Sequence, residues 1–293
     1  MILGCDFEDH SEIYTDGYTA LRFAQMIPEK INNYKTAIHF IWCVNKKGRP
    51  FERKQSLALK SAIVTQNLDT TEIYLWSNID LKENEDVKEL LPHINFRIYD
   101  PFELSIDTPL EGFNEKLKRD DDNFFLGGDL ARLLILYKYG GVYCDCDIVL
   151  LRDLSPLLDN EFMYQWGTEL DKINGAIMRM FAGSDLATQC LEWILRIQGG
   201  QLSTHWGSEL YSFVRQSNKD WTIFPCAFFN TEWQVGINMA ESGHPFKKSA
   251  DSNKLFEGAF SWHWHNKWDA EIEEGSKFSI LEHDINNKMI KFI

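Results

Sequence analysis

The sequence lacks the long apolar runs that mark a membrane span or a secretory leader. Its richest apolar stretch, 130–139, is interrupted by Arg132 and Lys138, whereas a spanning helix needs about 20 consecutive apolar residues. The first residues, MILGCDFEDH, contain no basic segment followed by an apolar one, which a signal peptide requires. We therefore expect a soluble, cytoplasmic chain with no signal peptide and no transmembrane segment.

Closely spaced cysteines are also scarce. The six cysteines are scattered, and only Cys144 and Cys146 are close, in a C-x-C spacing that is too tight for an ordinary disulfide within one strand. No C-x-x-C pair or Cys/His cluster has the spacing of a zinc site. The pattern predicts reduced, mostly buried thiols.

Positive charge is in short supply as well. The 293 residues include 30 Lys and Arg against 44 Asp and Glu, which gives a formal net charge of −14. This balance argues against a nucleic-acid partner, which needs clustered basic residues. The length and the apolar content of 44% predict one large globular domain or two small ones. An acidic protein that binds an anionic substrate would need a bridging cation.

The hydrophobic pattern alternates between strand-like and helix-like segments. The predicted strands lie at 37–42, 72–76, 95–99, 142–151 and 175–180. The predicted helices lie at 18–26, 51–67, 130–139 and 185–196. We expect Asp129 at or near the N-cap of helix 130–139, and Gly140-Gly141 to end it. The alternation predicts an α/β fold with a mostly parallel sheet, followed by an aromatic-rich tail with few clear elements.

Two aspartates stand out in the strongest strand pattern. Asp145 and Asp147 are two residues apart, and residues i and i+2 of a strand point to the same face. Unpaired buried carboxylates are costly, and a Mg²⁺ or Mn²⁺ ion would resolve that cost. The alternative is a pair of strand-end aspartates that cap loops or pair with Arg152.

A second interpretation of the same segment is a phosphatase. Residues 145–150 fit the D-x-D-x-[TV]-L pattern of haloacid-dehalogenase-like phosphatases, in which the first aspartate is a nucleophile and the second an acid/base. That family usually carries the motif on its first strand, whereas here about 140 residues with an α/β pattern precede it. No convincing downstream pair of acidic metal ligands follows, so this hypothesis is the less favoured one.

The residues around the aspartates form a longer motif. GDLAR at 128–132, Tyr137 and GGVYCDCD at 140–147 together resemble the S-D-x-x-R…Y-x-x-G-G-x-Y-x-D-x-D block of glycosyltransferases with the D-x-D sugar-binding region. That group includes initiating mannosyltransferases, α-1,4-galactosyltransferases, bacterial capsule enzymes and glucosylating clostridial toxins. Shorter stretches similar to its other motifs follow in order at 38–42, 72–78, 174–178 and 263–268. Gly128 replaces the usual serine, and Gly175 replaces the second asparagine of N-N-A.

The resemblance implies a fold and an activity. The fold is GT-A, a Rossmann-like mixed α/β sheet flanked by helices, here as a single domain over 1–293. It would comprise an N-terminal extension (1–36), a nucleotide-binding half (37–160) and an acceptor-side half with the C-terminal tail (161–293). The activity is metal-dependent, retaining transfer of a hexose from a nucleotide-sugar to a glycan or other hydroxyl acceptor, as in polysaccharide biosynthesis. A UDP-sugar is the favoured donor and GDP-mannose the second choice. A GT-A-like domain that binds glycan or nucleotide without turnover stays as an alternative.

The resemblance also implies roles for individual residues. Asp145 and Asp147 would bind Mn²⁺ (or Mg²⁺), and Asp145 would also contact the donor. His263 or His265 would complete the metal site, and the terminal motif is one residue short, so the choice between them is open. Asp129 and Arg132 share a helix face and would hydrogen-bond the donor sugar. We count these two with the two metal-binding aspartates as the candidate catalytic residues.

Three aromatic residues complete the implied donor site. Trp42 would stack on the nucleobase, Tyr143 would line the ribose or sugar pocket, and the indole N–H of Trp268 would reach the diphosphate. A core role is the alternative for Trp42 and Trp268. Aromatic residues of the tail would either hold an acceptor glycan or belong to the core; they are Trp206, Trp221, Phe228, Phe229 and Trp233.

Overall fold

A computed structural model describes residues 11–44, 48–118, 125–197, 205–235, 244–250, 252–253 and 256–292. The helices in these ranges are α1 (Glu12–Thr15), α2 (Gly17–Met26), α3 (Arg53–Thr65), α4 (Glu85–Lys88), α5 (Pro101–Ser105), α6 (Asn114–Leu117), α7 (Phe125–Tyr139), α8 (Asp185–Arg196), α9 (Ser208–Ser217), α10 (Thr231–Gln234) and α11 (Lys277–Met289). The strands are β1 (Thr36–Ile41), β2 (Thr71–Ser77), β3 (Asn95–Ile98), β4 (Gly141–Cys144), β5 (Ile148–Leu150), β6 (Phe162–Trp166), β7 (Glu169–Met180), β8 (Thr222–Phe224) and β9 (Ser261–His263).

Seven of these strands form one mixed sheet in the order β3-β2-β1-β4-β7-β6-β8. Its first four strands are parallel to one another. Strand β7 runs antiparallel to both β4 and β6, and β8 is parallel to β6. The sheet is therefore mixed, and the expectation of a mostly parallel sheet holds only for its first half. Strands β5 and β9 form a separate antiparallel pair.

Most predicted elements lie where the sequence pattern puts them, because local signals define their ends. Helix α8 has the predicted bounds, and the side chain of Ser184 accepts a hydrogen bond from the N–H of Ala187 at its start. Helix α7 ends at Tyr139, and the next residue, Gly140, has a φ of +61°, which lies in the left-handed region that favours glycine. No helix of the described residues is long and apolar enough to cross a membrane.

The prediction of one strand over 142–151 is wrong. Strand β4 ends at Cys144, β5 begins at Ile148, and the two strands belong to different sheets. The residues between them form a turn, in which the N–H of Ile148 donates to the carbonyl oxygen of Asp145 at 3.0 Å. The two aspartates therefore come together through this turn and do not share the face of one strand. An apolar run does not by itself show where pairing passes from one sheet to another.

Two further expectations need correction. Asp129 is not an N-cap, because α7 begins at Phe125 and Asp129 lies inside the helix. Glycines at 127 and 128 lower the local helix propensity, but the tertiary structure overrides it. The tail also contains more regular secondary structure than expected, since α9 and α11 lie in it. The latter buries Phe278, Leu281 and Ile285 in a cluster that includes Trp262 and Trp264.

The two faces of the sheet carry separate apolar clusters, as the alternation of strand side chains requires. Ile38 and Phe40 of β1 lie in one cluster, which also contains residues of α2 and α3. Ile41 lies in the other, which contains Leu133 and Leu134 of α7. The five described cysteines are free and buried, as predicted, and Cys5 lies outside the described residues.

A buried histidine in β1 gives the first prediction. His39 is 1% exposed; its Nε2 lies 3.0 Å from the carbonyl oxygen of Gly140, and its Nδ1 accepts a hydrogen bond from Trp76. Burial lowers the pKa of His39 to about 4, whereas an unfolded histidine titrates near 6.5. The unfolded chain therefore binds this proton first, and stability is lost as the pH falls from about 6.5 to about 4.

We expect this one group to lower the free energy of unfolding by about 2 kcal/mol between about pH 7 and pH 5. His39→Phe should remove that part of the pH dependence, as measured by urea denaturation at both pH values. The exposed His283→Phe is the matched control and should keep the wild-type slope. An unchanged slope in His39→Phe would show that another group is responsible.

Candidate active site

A cleft of about 670 Å³ opens at the carboxyl ends of β1 and β4. All nine residues that the sequence singles out lie along it: Trp42, Asp129, Arg132, Tyr143, Asp145, Asp147, His263, His265 and Trp268. They come from the end of β1, from α7 and β4, from the turn after β4, and from β9 and the segment that follows it. Because open α/β sheets bind ligands at the carboxyl ends of their strands, this is the expected place for a nucleotide.

Three of these side chains form a potential metal site. One carboxylate oxygen each of Asp145 and Asp147 and a ring nitrogen of His263 all lie within 4.8 Å of one another. The Nε2 of His263 is buried and lies 3.2 Å from Oδ2 of Asp147, its nearest polar partner among the described residues. Two hard carboxylate oxygens and an imidazole nitrogen that faces them fit a divalent cation such as Mn²⁺ or Mg²⁺.

The pKa values of the two aspartates shift in opposite directions because their surroundings differ. Burial raises the pKa of Asp145, although the guanidinium of Arg132 opposes this shift. Burial acts in the same direction on Asp147, but the neighbouring His263 and the N–H of Asn266 outweigh it and lower the pKa of Asp147. That N–H donates to Oδ2 of Asp147 at 2.7 Å. A cation between the two carboxylates would favour ionisation of both.

The second histidine is turned away from the carboxylates. The Nε2 of His265 lies 3.0 Å from Oδ1 of Asn230. Its ring stacks between those of Trp233, at 4.0 Å, and His263, at 3.9 Å. Burial lowers the pKa of His265, so the ring is neutral. The structure therefore brings His263 to the aspartates and gives His265 a supporting place behind it.

Arg132 lies between Asp129 of α7 and the potential metal ligand Asp145. Its guanidinium lies 2.9 Å from Asp129 and 3.5 Å from Asp145, and its Nη1 donates to the carbonyl oxygen of Gly175 at 2.8 Å. The ring of Tyr143 is 4.8 Å from the same guanidinium, and the Tyr143 hydroxyl donates to Asp145 at 2.5 Å. Burial disfavours the charge on Arg132, but the two carboxylates outweigh it and raise its pKa. These contacts hold the arginine in one orientation.

Two tryptophans form the opposite wall. Trp42 and Trp268 meet edge to face, with ring centroids 4.8 Å apart. The indole N–H of Trp268 donates to Asn266 at 2.9 Å, so it is already used within the protein. The buried N–H of Trp42 makes no hydrogen bond with a described residue. Lys54 of α3 fixes this wall, because its ammonium group donates to the carbonyl oxygens of Lys267 and Trp268 at 2.8 Å each.

Four of the five aromatic residues singled out in the tail lie in the core, and the fifth lies at the cleft. Trp206, Trp221, Phe228 and Phe229 are buried in the apolar clusters, which favours the core alternative for them. Trp233 lies at the cleft, where it stacks on Trp166 at 5.7 Å.

Several cleft residues carry no signal in the sequence. Tyr211 of α9 and Trp166 of β6 both line the cleft, and Arg49 at its rim forms a bidentate ion pair with Asp269 at 2.8 and 3.0 Å. None of them belongs to a motif, and the helix that carries Tyr211 was itself not predicted. Only the long-range packing of the chain reveals them.

A larger cavity, of about 1170 Å³, lies where β1 and β4 begin, away from the cleft. It contains none of the nine predicted residues, and the two ring nitrogens of its buried His39 are already engaged. The cleft with the aspartates is therefore the candidate active site.

Comparison with known proteins agrees with this geometry. Residues 54–164, which include Asp145 and Asp147, match the family described as "Glycosyltransferase sugar-binding region containing DXD motif". The chain carries a glycosyltransferase sugar-binding region. The resemblance seen in the sequence is confirmed, and the phosphatase hypothesis is not supported.

Curated relatives are similar over part of their length. An uncharacterized protein of Arabidopsis thaliana is 26% identical over 185 residues, which are 59% of this chain and 27% of that protein. Lactosylceramide 4-alpha-galactosyltransferase of Gorilla gorilla gorilla is 25% identical over 194 residues, which are 60% of this chain and 56% of that protein. The chain thus spans about a quarter of the first relative and just over half of the second.

A solved structure supports the fold. The glycosyltransferase GlyE of Streptococcus pneumoniae TIGR4 superposes with a TM-score of 0.50 and 12% identity, over 88% of this chain and 64% of that one. Together with the family match, the mixed sheet flanked by helices confirms the GT-A fold class for the sugar-binding region and its surroundings.

Proposed function

We propose that this protein is a metal-dependent, retaining glycosyltransferase that moves a hexose from a nucleotide-sugar to a hydroxyl of a glycan or another acceptor. One observation carries the proposal: the carboxylates of Asp145 and Asp147 and a ring nitrogen of His263 converge within 4.8 Å in the same cleft as the Asp129–Arg132 pair. A UDP-sugar is the favoured donor and GDP-mannose the second. We take residues 1–293 as one GT-A domain with the three segments given above.

The proposed mechanism starts from the bond that breaks. The bond between the anomeric carbon and the diphosphate oxygen breaks with positive charge on the carbon and negative charge on the leaving group. Asp145, Asp147 and His263 would hold the Mn²⁺ or Mg²⁺, which as a Lewis acid would neutralise the departing diphosphate. Tyr143 holds Asp145 through its hydroxyl, and Asn266 holds Asp147 through its backbone N–H.

The remaining residues orient the donor. Asp129 accepts and Arg132 donates hydrogen bonds, so the pair can bind neighbouring hydroxyls of one sugar ring. Because Arg132 is held by Asp129, Asp145 and Gly175, its donors are preorganised, which favours catalysis. Trp42 offers a ring face to the nucleobase. The proton of the acceptor hydroxyl would pass to the leaving phosphate, and we assign no residue as a base.

A ligand screen tests the proposal directly. A donor present at about 100 times its Kd should stabilise the protein by about 2.7 kcal/mol. We expect a rise in Tm with UDP-hexoses that requires Mn²⁺, followed by release of UDP in a turnover assay. The 4-alpha-galactosyl transfer in the name of the gorilla relative makes UDP-galactose the first donor to test.

Other outcomes would contradict the proposal. Phosphomonoester turnover with a trapped aspartyl-phosphate would indicate a phosphatase. Nucleotide-sugar binding without hydrolysis or transfer, across a panel of acceptors, would indicate a binding module. The double variant Asp145→Ala/Asp147→Ala should fold and lose activity, and unchanged transfer in that variant would disprove the metal site.

A further inference from the structure

The side chain of Tyr211 ends in a buried hydroxyl that has no hydrogen-bond partner in the described structure. Tyr211 lies in the first turns of α9, is fully buried by its surroundings and still forms part of the cleft wall. A buried hydroxyl without a partner is destabilising, because it has lost its hydrogen bonds to water. Such a group needs an explanation other than packing.

Gly175 makes room for this ring. A Cβ atom at position 175 would lie 2.6 Å from Cε2 of Tyr211, which is closer than real Cβ atoms approach, and 3.0 Å from its hydroxyl oxygen. The carbonyl oxygen of the same glycine accepts the hydrogen bond from Arg132. The absence of a side chain at 175 therefore lets the phenol ring lie directly against the segment that anchors this arginine.

The start of α9 also packs against the other member of the ion pair. A Cβ atom at Gly207, the residue before α9, would lie 3.0 Å from Oδ2 of Asp129. The charges of Asp129, Arg132 and Asp145 all act on the Tyr211 hydroxyl, which shows that it lies in their field. The hydroxyl is thus placed beside the charged groups that would bind the donor sugar.

We propose that Tyr211 is a specificity-determining residue, whose hydroxyl completes its hydrogen bonding with one hydroxyl of the donor hexose. This inference rests on the proposed transferase function. A sugar hydroxyl both donates and accepts, as the phenol does, so either direction of the hydrogen bond is possible. A site built to hydrogen-bond a substrate hydroxyl discriminates strongly against an analogue that lacks it, because the protein group is then left unpaired.

Tyr211→Phe tests the inference because stability and activity should change in opposite directions. We expect Tm to stay the same or rise, since the variant removes an unpartnered hydroxyl. We expect kcat/KM for the preferred UDP-hexose to fall at least about tenfold. Among monodeoxy donors, the one that lacks the partner hydroxyl should be used equally by the variant and the wild-type protein.

A matched control is Tyr14→Phe. The hydroxyl of Tyr14 donates to the carbonyl oxygen of Ile223 at 2.8 Å, away from the cleft. This variant should lower Tm and leave kcat/KM unchanged, the reverse of the pattern expected for Tyr211→Phe. Gly175→Ala should lower both Tm and kcat/KM. The double variant Gly175→Ala/Tyr211→Leu should recover Tm but should not discriminate between the full donor and the deoxy donor.

The outcomes separate this inference from the proposed function. An inactive wild-type protein, with every nucleotide-sugar and metal, would overturn both. An active wild-type protein with unchanged kcat/KM in Tyr211→Phe would overturn the role of Tyr211 alone. An equal loss on the full donor and on every deoxy donor would also overturn it, because the residue would then only support the fold of the site.

Discussion

Asp147→Asn is expected to reduce hexose transfer by at least about 10²–10³-fold, the loss typical when one preorganised electrostatic group is removed from an active site. Asp147 is 1% exposed, and its lowered pKa keeps it ionised. Asparagine has the same shape and can still accept the N–H of Asn266, so the turn should fold. What the variant loses is the negative charge beside His263.

Initial rates with UDP-hexose and Mn²⁺ measure this effect, and titration of Mn²⁺ itself should show weaker binding. Asp171→Asn is the matched control, since Asp171 lies exposed in β7 and lines no part of the cleft. It should behave as the wild-type protein does. Wild-type rates and Mn²⁺ affinity in Asp147→Asn would contradict both the metal site and the proposed reaction.

Lys277→Met should lower the free energy of unfolding by about 3–5 kcal/mol, because it leaves a buried carboxylate without its partner. Lys277 at the start of α11 pairs with Glu232 of α10, and their side chains are 4% and 0% exposed. The same carboxylate accepts the indole N–H of Trp262 at 2.9 Å. Since Trp262 precedes His263 in β9, we expect Mn²⁺ binding to weaken as well.

Urea denaturation at about pH 7 measures the loss of stability. Lys277→Met/Glu232→Gln removes both charges and keeps an acceptor for Trp262, so it should recover much of the stability. Lys288→Met is the control in the same helix, because Lys288 forms an exposed pair with Asp284 at 2.7 Å. Exposed helix pairs of this spacing contribute only about 0.3–0.5 kcal/mol. A similar small loss in Lys277→Met would show that the buried pair does not stabilise the fold.

Local patterns were sufficient for much of the first half of the chain. The apolar runs at 37–42 and 72–76 became β1 and β2, and helix α8 has its predicted bounds because Ser184 caps it. The same patterns predict one strand at 142–151, where the chain instead forms two strands of different sheets joined by a turn. Helices α9 and α11 are not predicted either, although Phe278, Leu281 and Ile285 of α11 have the spacing of one helix face.

The sequence by itself determined which chemical groups are available, namely a D-x-D motif, an Asp-x-x-Arg pair and two histidines in a tryptophan-rich segment. Only the tertiary structure decided how they meet. Strand β5 pairs with β9 so that Ile148 lies opposite His263, which brings that histidine beside Asp147 and turns His265 towards Asn230. A shift of one residue in this register would exchange the two faces of β9. A tryptophan would then lie beside Asp147 in place of His263. Residues more than 100 positions apart in the sequence are brought together by strand pairing and packing, which no local pattern encodes.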